Sequence, residues 1–563
     1  MLDDKSNESN YTYVDMIVKG YLLFLERYHK DPTRQEFTNF INFDEKAQEE
    51  GYNSWTQFFK TISAVRAQAM IDHSDEIEKL TFTEGEFGTA EYFKKAQEDI
   101  KSHKRFIIST AVNNKPVDIE FLNSLKNYAE RNDAVICWVP AHDVRSSRRV
   151  FKWNFDPALK CGYIITKDTV LNDNVMISGI TASAKQIYPL TGVVRICGKV
   201  NKSIIFPGCK QMLKHVAMMK VVPTPHMATS PGAVTVPDYS EDKIMSGRTS
   251  YIAEMDHKLG AVIVELEDDK RFHLRHIQAA EDGSFTDLCV SYKPDGSITD
   301  TRNAILVNGD SHVGYHDQEL LKAIFSMLRD SEVVTEVILH DIDNAASISH
   351  HERDNFIKRV IRAKNGQDSL LDEIDDVNRY LNAFTSLPNL NLTIVNSNHD
   401  RHVDRYLEGA QYFITRDHKN AELAMEISLK LIRDEISNPV QYLSEDLATV
   451  KLEHPEKIKW LKRDESYNKY GVELGMHGDE GANGGKGSLR TYETSLYNAV
   501  VGHSHSGAIH NSIFQVGTTS EMDMGYNHGL SSWTRTCCLV YEDGTKQLIN
   551  FLPHDDGSYT YHA

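Results

Sequence analysis

Residues 303–314 read NAILVNGDSHVG: a short apolar run, an Asn-Gly pair, then a carboxylate and an imidazole. The run 304–307 has the composition of a buried strand, and Asn308-Gly309 turns the chain so that Asp310 and His312 emerge at its carboxyl end. An acid and a histidine two places apart on such a turn can converge on one cation. Further stretches repeat the design. VVTEVILHDIDN delivers Asp341 from a strand over 333–339, and LNLTIVNSNHD closes a strand over 392–395 with Asn398, His399 and Asp400. GMHGDEG offers His477, and AVVGHSHSGAIH offers His503 and His505 after another short apolar strand.

Asp310, His312, Asp341, Asn398, His477, His503 and His505 make a mixed oxygen and nitrogen donor set. Such a set suits manganese, iron or zinc better than calcium or magnesium. Two such ions about 3.5–4 Å apart clamp a phosphoryl group and lower the pKa of a bridging water, which is the chemistry of phosphoester hydrolysis. Asp343 stands two places from Asp341 and is an alternative bridging carboxylate. His316, His350, His351, His402 and His510 lie near the candidates and are expected to support them or to be solvated.

The order DxH, D, NHD, H and GHxH resembles that of the calcineurin-like metallophosphoesterases, over the chain from residue 303 onward. The resemblance implies that Asp310, His312 and His505 hold one metal, that Asn398, His477 and His503 hold the other, and that Asp341 bridges them. It implies a catalytic role for His399 beside the leaving group, with Asp400 orienting it. Two Mn2+ ions are the expected pair, with Fe2+, Zn2+ or Mg2+ as alternatives. The chain departs from the family pattern at His340 and Ser397, where the family has glycine.

At 563 residues the chain exceeds the roughly 250 that a single domain usually reaches, so several domains are expected. The patterning suggests an N-terminal helical module over 1–100 and a smaller α/β domain over 101–300, and the resemblance implies an α/β metallophosphoesterase domain over 301–563, a β-sandwich flanked by helices. The seven scattered cysteines have no CxxC spacing, which points to a reducing compartment and away from thiolate zinc sites. No apolar leader opens the sequence and no stretch has the length of a membrane span, so a cytoplasmic protein without a membrane partner is expected. The net charge of −19 opposes indiscriminate attraction to polyanions, although metal ions invert the local field of a site.

Before the metal motifs, 13–30, 33–43 and 54–66 have helical periodicity. They resemble the helix-turn-helix repeats appended to some nucleases and equally suit a packing or oligomer-forming module. A strand at 105–110, a helix at 119–131 and a strand at 134–139 form a βαβ signature without a glycine-rich phosphate loop. Then Arg145, Arg148, Arg149 and Lys152 interleave with Phe151, Trp153 and Phe155. That pattern fits a single-strand nucleic-acid surface, or a solvated edge with buried aromatics behind it. GYIIT, TGVVRI and KSIIFP read as short strands, and the proline-rich 221–239 as a loop or tether. Strands at 261–266, 271–277 and 285–292 lead into the metal domain, where helices are expected at 318–329, 369–384 and 421–436. The 401–475 insert suits either a roof over the cleft or a subunit interface, and the glycines after His477 suit either a phosphate cradle or a mobile loop.

The expected function is DNA hydrolysis. The motif set is similar to the nuclease branch of the metallophosphoesterases, and the layout of the whole chain resembles phage-encoded enzymes that degrade host DNA. A homo-oligomer in the cytoplasm of an infected bacterium fits that reading. A phosphatase or cyclic-nucleotide phosphodiesterase, and a non-catalytic DNA-transfer or scaffold protein, are the rivals.

Overall fold

The computed structural model describes residues 82–142, 153–219, 224–237, 239, 247–351, 355–496, 498–525 and 527–563. The expected N-terminal helices, and Arg145, Arg148, Arg149 and Lys152, lie outside the described residues. Those that are described form a mixed α/β structure with several mixed sheets and 13 α-helices.

The first part carries β1 (Arg105–Val112), α1 (Ile119–Asn132), β2 (Ala134–His142), β3 (Val175–Ile177), β4 (Ser203–Ile205), β5 (Gln211–His215), β6 (Met227–Pro231), β7 (Gly260–Leu266) and β8 (Phe272–Gln278). The βαβ signature is realised as parallel β1 and β2 joined by α1. Asp118 caps α1 by accepting the Phe121 N–H at 2.9 Å, and Asp133 ends it in a left-handed conformation at φ 51°. β7 and β8 extend the sheet on the other side of β1.

The second part carries β9 (Ala304–Val307), α2 (Gln318–Ser331), β10 (Val334–Leu339), α3 (Phe356–Asn365), α4 (Leu370–Thr385), β11 (Asn391–Ile394), α5 (Asp400–Glu408), α6 (Ala421–Ile432), β12 (Ile458–Trp460), β13 (Asn468–Lys469), β14 (Val472–Glu473), β15 (Ala499–Val501), β16 (Ala508–His510), β17 (Ile513–Gln515), β18 (Thr536–Tyr541) and β19 (Lys546–Asn550). One sheet runs β12-β11-β10-β9-β18-β19, parallel from β12 to β9 and antiparallel beyond. Its two faces follow from the period of two along a strand. Ile305, Val307, Ile338, Cys538 and Val540 face the sandwich core, while Leu306, Leu339, Leu392 and Leu539 face the helices. Leu320, Ile324 and Met327 of α2 and Val377, Leu381 and Phe384 of α4 cover that second face.

The opposing sheet has ten strands and runs β13-β14-β15-β17-β16-β5-β6-β4-β3, ending on Thr169–Val170. Its middle is the pairing of β5 with β16, Met212 opposite His510 and Leu213 opposite Ile509. The boundary expected at 300/301 is therefore crossed by a continuous sheet, and the apolar core beneath it joins Leu213 and Ile205 to Val500 and Phe514.

Several local expectations need correction. The stretch taken for a tether contains β6, buried throughout and paired on both sides, antiparallel to β5 and parallel to β4. Its only proline is the last residue, where loss of a ladder donor matters least. Within TGVVRI the β-branched residues begin a helix, Val194–Val200, closed by Asn201 at φ 53°. The strand expected over 285–292 is a hairpin, Phe285–Asp287 against Val290–Tyr292, turned by Leu288 and Cys289 at φ 47° and 69°. Helix α6 stops at Ile432, short of 436, because Asp434 turns left-handed at φ 55°. The 401–475 insert builds a helical layer in which Val403, Tyr406, Ala424 and Ile427 pack with Ile348 and Ile374. Among the described residues no helix is long and apolar enough to cross a membrane.

Candidate metal centre

Each ligand candidate leaves its strand on a loop that neighbouring loops hold by backbone hydrogen bonds. The Ser311, His312 and Val313 N–H groups donate to the carbonyls of His340, Asp341 and Ile342 at 3.0, 2.7 and 3.1 Å, so the loops after β9 and β10 run side by side. On the other flank the Asp310 N–H donates to Gly517 and the Thr519 N–H to Asp310. The Gly502 N–H donates to His477 at 2.7 Å, which ties the fourth motif to the fifth. Arg463 grips Asp479 through two bonds of 2.7 and 2.8 Å and donates to the Asn396 carbonyl, fixing His477 relative to Asn398.

This lattice imposes unfavourable backbone. His312, Asp341, His503 and His505 have φ of 43°, 45°, 75° and 57°. A non-glycine residue there costs on the order of 1–3 kcal/mol and persists only where its surroundings dictate it. At His340, where the resemblance would put glycine, no left-handed backbone occurs; the positive φ falls on Asp341.

Asp310, His312, Asp341 and His505 are all at least 95 % buried and place their ligand atoms within 4.8 Å of one another, a group that could hold a metal ion. His312 Nε2 is 2.9 Å from His505 Nε2, and His505 Nε2 is 3.2 Å from Asp310 Oδ2. Asp341 Oδ2 lies 3.7 Å from His312 Nε2 and 3.2 Å from His477 Nε2, so one oxygen serves both sides. Beyond it, Asn398 Oδ1 is 2.8 Å from His477 Nε2 and 3.0 Å from His503 Nδ1. All seven candidates are brought together.

The donor chemistry fits a cation. Both carboxylate oxygens of Asp310 and Oδ1 of Asp341 are sealed from solvent without accepting a hydrogen bond. Burying each ionised carboxylate costs several kcal/mol, and His477 can offset only part of that. Burial opposes ionisation of Asp341, but the charges of His477 and His399 outweigh it and hold the carboxyl well below its usual range. Burial likewise lowers the pKa of His477, yet Asp341 and Asp310 raise it to about 9.

Asp343 stands outside the group of converging ligand atoms. Its Oδ1 caps the loop by accepting the Ala345 N–H at 2.9 Å, and burial raises its pKa to about 6. His399 stands with its ring 4.6 Å from that of His312, on the wall of a ≈ 430 Å³ cavity also lined by Asp341, Asn398, His503 and Trp533. The support that the family resemblance implies from Asp400 is absent in the expected form. Asp400 Oδ2 accepts the Ser397 N–H at 2.7 Å, Oδ1 has no hydrogen-bond partner, and neither has His399 Nδ1. Burial raises the Asp400 carboxyl to about 8, against the lowering effect of the Ser397 N–H, so near pH 7 it is not a charged partner for an imidazole. His316 and His510 lie apart, the first against Tyr380 and the second paired with Glu493 at 2.9 Å.

Trp153 is half-buried and stacks on buried Phe155 at 5.5 Å, which is the reading of aromatics behind an edge. The glycine-rich run folds on itself, Gly481 N–H to Gly485 at 2.6 Å and Gly487 N–H to Asp479 at 2.9 Å. Sequence reasoning missed α3. Its Lys358 lines the metal-side cavity, and Arg359 and Arg362 line a second cavity of ≈ 610 Å³ with Arg405. The run FIKRVIRAKN after the capping Asn355 carried that signal. Trp533, whose ring packs 4.3 Å from that of His505, had none.

No family model matches the chain. Among curated proteins it is similar to Protein A1 of Escherichia phage T5, 28% identical over 483 residues that cover 81% of this chain and 83% of that protein.

Proposed function

We propose that the chain is a two-metal phosphodiesterase of the calcineurin-like kind that hydrolyses DNA in a phage-infected bacterium. The observation that carries this reading is the position of Asp341 Oδ2 between His312 and His477, with a separate set of donors on each side. Asp310, His312 and His505 would hold one ion and Asn398, His477 and His503 the other. The mixed donors suit manganese, iron or zinc, and the family resemblance points to manganese among them.

When bound, two divalent cations supply charge neutralisation for the phosphoryl oxygens and an acidified water. The protein's own contribution is positional. Loops fixed on both sides keep the donors from relaxing, and the sealed floor under Asp310 excludes competing water. His399 faces the cavity beside His312 and is the group poised to protonate or orient the departing oxygen. Similarity to a phage protein supports a role in infection. Lys358, Arg359, Arg362 and Arg405 give the cleft a basic flank in an acidic protein, which supports a polyanionic substrate over a small phosphate.

The net charge of −19 favours the rival, a phosphatase or cyclic-nucleotide phosphodiesterase. Incubating the full chain and Mn2+ with circular DNA, end-labelled linear DNA and a generic phosphate monoester separates them. DNA cleavage lost on chelation is the expected result; turnover of the monoester alone would overturn the DNA reading.

A further inference from the structure

Beside the centre just described stands a second group of histidines to which the family resemblance gives no role. His350 and His351 follow the loop after β10, and His402 lies in the first turn of α5. Each offers one ring nitrogen, and these nitrogens all fall within 4.8 Å of one another. The rings of His350 and His351 are 3.9 Å apart, and both meet His402 at 5.1 and 5.7 Å.

We infer that His350, His351 and His402 form a third cation site, of the zinc class, on the wall shared by the two cavities. His351 and His402 line the cavity that Asp341 also lines, while His350 and His402 line the neighbouring one. Three neutral imidazoles with an open fourth position are a recognised zinc arrangement, and nitrogen-only donors select zinc, copper or nickel over magnesium or calcium. At Zn–N distances of 2.0–2.1 Å the three nitrogens would stand about 3.3–3.4 Å apart. The observed spread needs closure on the order of 1 Å, which the exposed His351 can supply by turning about its side-chain torsions.

His402 adds an independent reason. It is 96 % buried and its Nδ1 has no hydrogen-bond partner. A sealed imidazole nitrogen left unsatisfied is destabilising, and it persists here on the face of α5 that meets two other histidines. Three neutral ligands leave the charge of the ion uncompensated, and Arg405 lies 3.5 Å from His350 Nε2. The open position therefore favours an anion, and a phosphate oxygen in the shared cavity is the chemical class that fits. The ring of His402 is 4.8 Å from that of His399, so the site adjoins the position assigned to the leaving group.

The site does not rest on the two-metal reading, and the test keeps them apart. The full chain is stripped with chelator, dialysed against Zn2+ and assayed for metal per chain, and the measurement is repeated with Co2+ to read its visible absorption. His350→Ala and His351→Ala, both away from the buried core, are each expected to lose one equivalent and the matching part of the cobalt spectrum while circular dichroism stays unchanged. Asp310→Asn combined with His505→Ala is expected to lose metal from the neighbouring centre yet keep the equivalent assigned to the triad. Unchanged stoichiometry in both single variants overturns the third site. Unchanged stoichiometry in the double variant would instead sink the two-metal centre and leave this one standing.

Discussion

Nε2 of His477 lies 3.2 Å from Oδ2 of Asp341, and Nδ1 on the far side of the same ring lies 3.4 Å from Nδ1 of His340. The ring is thus held on both edges, with one edge turned to the acid. In the metal-free protein burial disfavours the imidazolium, but the carboxylates raise its pKa to about 9. A raised pKa means that the pair stabilises the fold fully below the unfolded value of about 6.5 and that this contribution fades as pH rises through about 9. A cation must displace that proton. Near pH 7, loading the centre is therefore expected to release about one proton from His477, read by titration calorimetry in buffers of different ionisation enthalpy. The melting temperature in chelator should fall between pH 6.5 and 9 relative to that in Mn2+. Metal uptake without proton release would contradict the assignment of His477.

Acid should unfold the protein through other histidines. Burial lowers His215 and His257 to about 4 and His276 to about 3; His215 and His276 lie on β5 and β8, and His257 in the loop before β7. A depressed pKa places their stabilising contribution above the unfolded value of about 6.5, and it is lost as pH falls toward 4 and 3. Thermal melts in chelator are expected to show a loss of stability that begins below about pH 6.5. Replacing His215 with Gln should reduce the steepness of that loss.

His399 and Asp400 should separate on mutation. His399→Ala keeps the metal stoichiometry and loses roughly 10²–10⁴-fold in turnover, the usual worth of a general acid. Asp400→Asn keeps a side-chain oxygen for the Ser397 N–H and is expected to cost less than about tenfold, because the acid holds the loop at Ser397 and makes no hydrogen bond to the imidazole. Equal losses in the two variants would restore the family's pairing.

Gly502 is required by proximity. A Cβ there would stand 2.4 Å from Asp310 Oδ1 and 3.3 Å from the His340 ring. Gly502→Ala must push the Asp310 carboxylate aside, and a displacement on the order of 1 Å costs about 10²-fold in rate. The expected variant folds, as judged by circular dichroism, but holds less metal per chain.

The centre was legible because four of the five motifs follow apolar runs that read as strands, so distant residues are delivered to neighbouring strand ends of the two sheets. Asp341 and Asp343 could not be told apart from spacing alone; the hydrogen bond to Ala345 separates them. β6 was hidden because prolines near 227–231 suggested a tether, while small buried residues satisfied both neighbours. The Val194–Val200 helix was hidden because β-branched residues carry the wrong local preference and tertiary packing overrode it. His350, His351 and His402 were individually visible but looked solvated. Their meeting depends on α5 folding back across the loop after β10, which no local pattern encodes.

The shared ten-stranded sheet has a consequence for dissection. Severing the chain near residue 300 would strip β16 of β5 and leave each fragment with a raw strand margin and a bared apolar face, an invitation to self-association. The half that carries the candidate metal centre is therefore not a transplantable cassette: β5 and the strands beyond it complete its architecture.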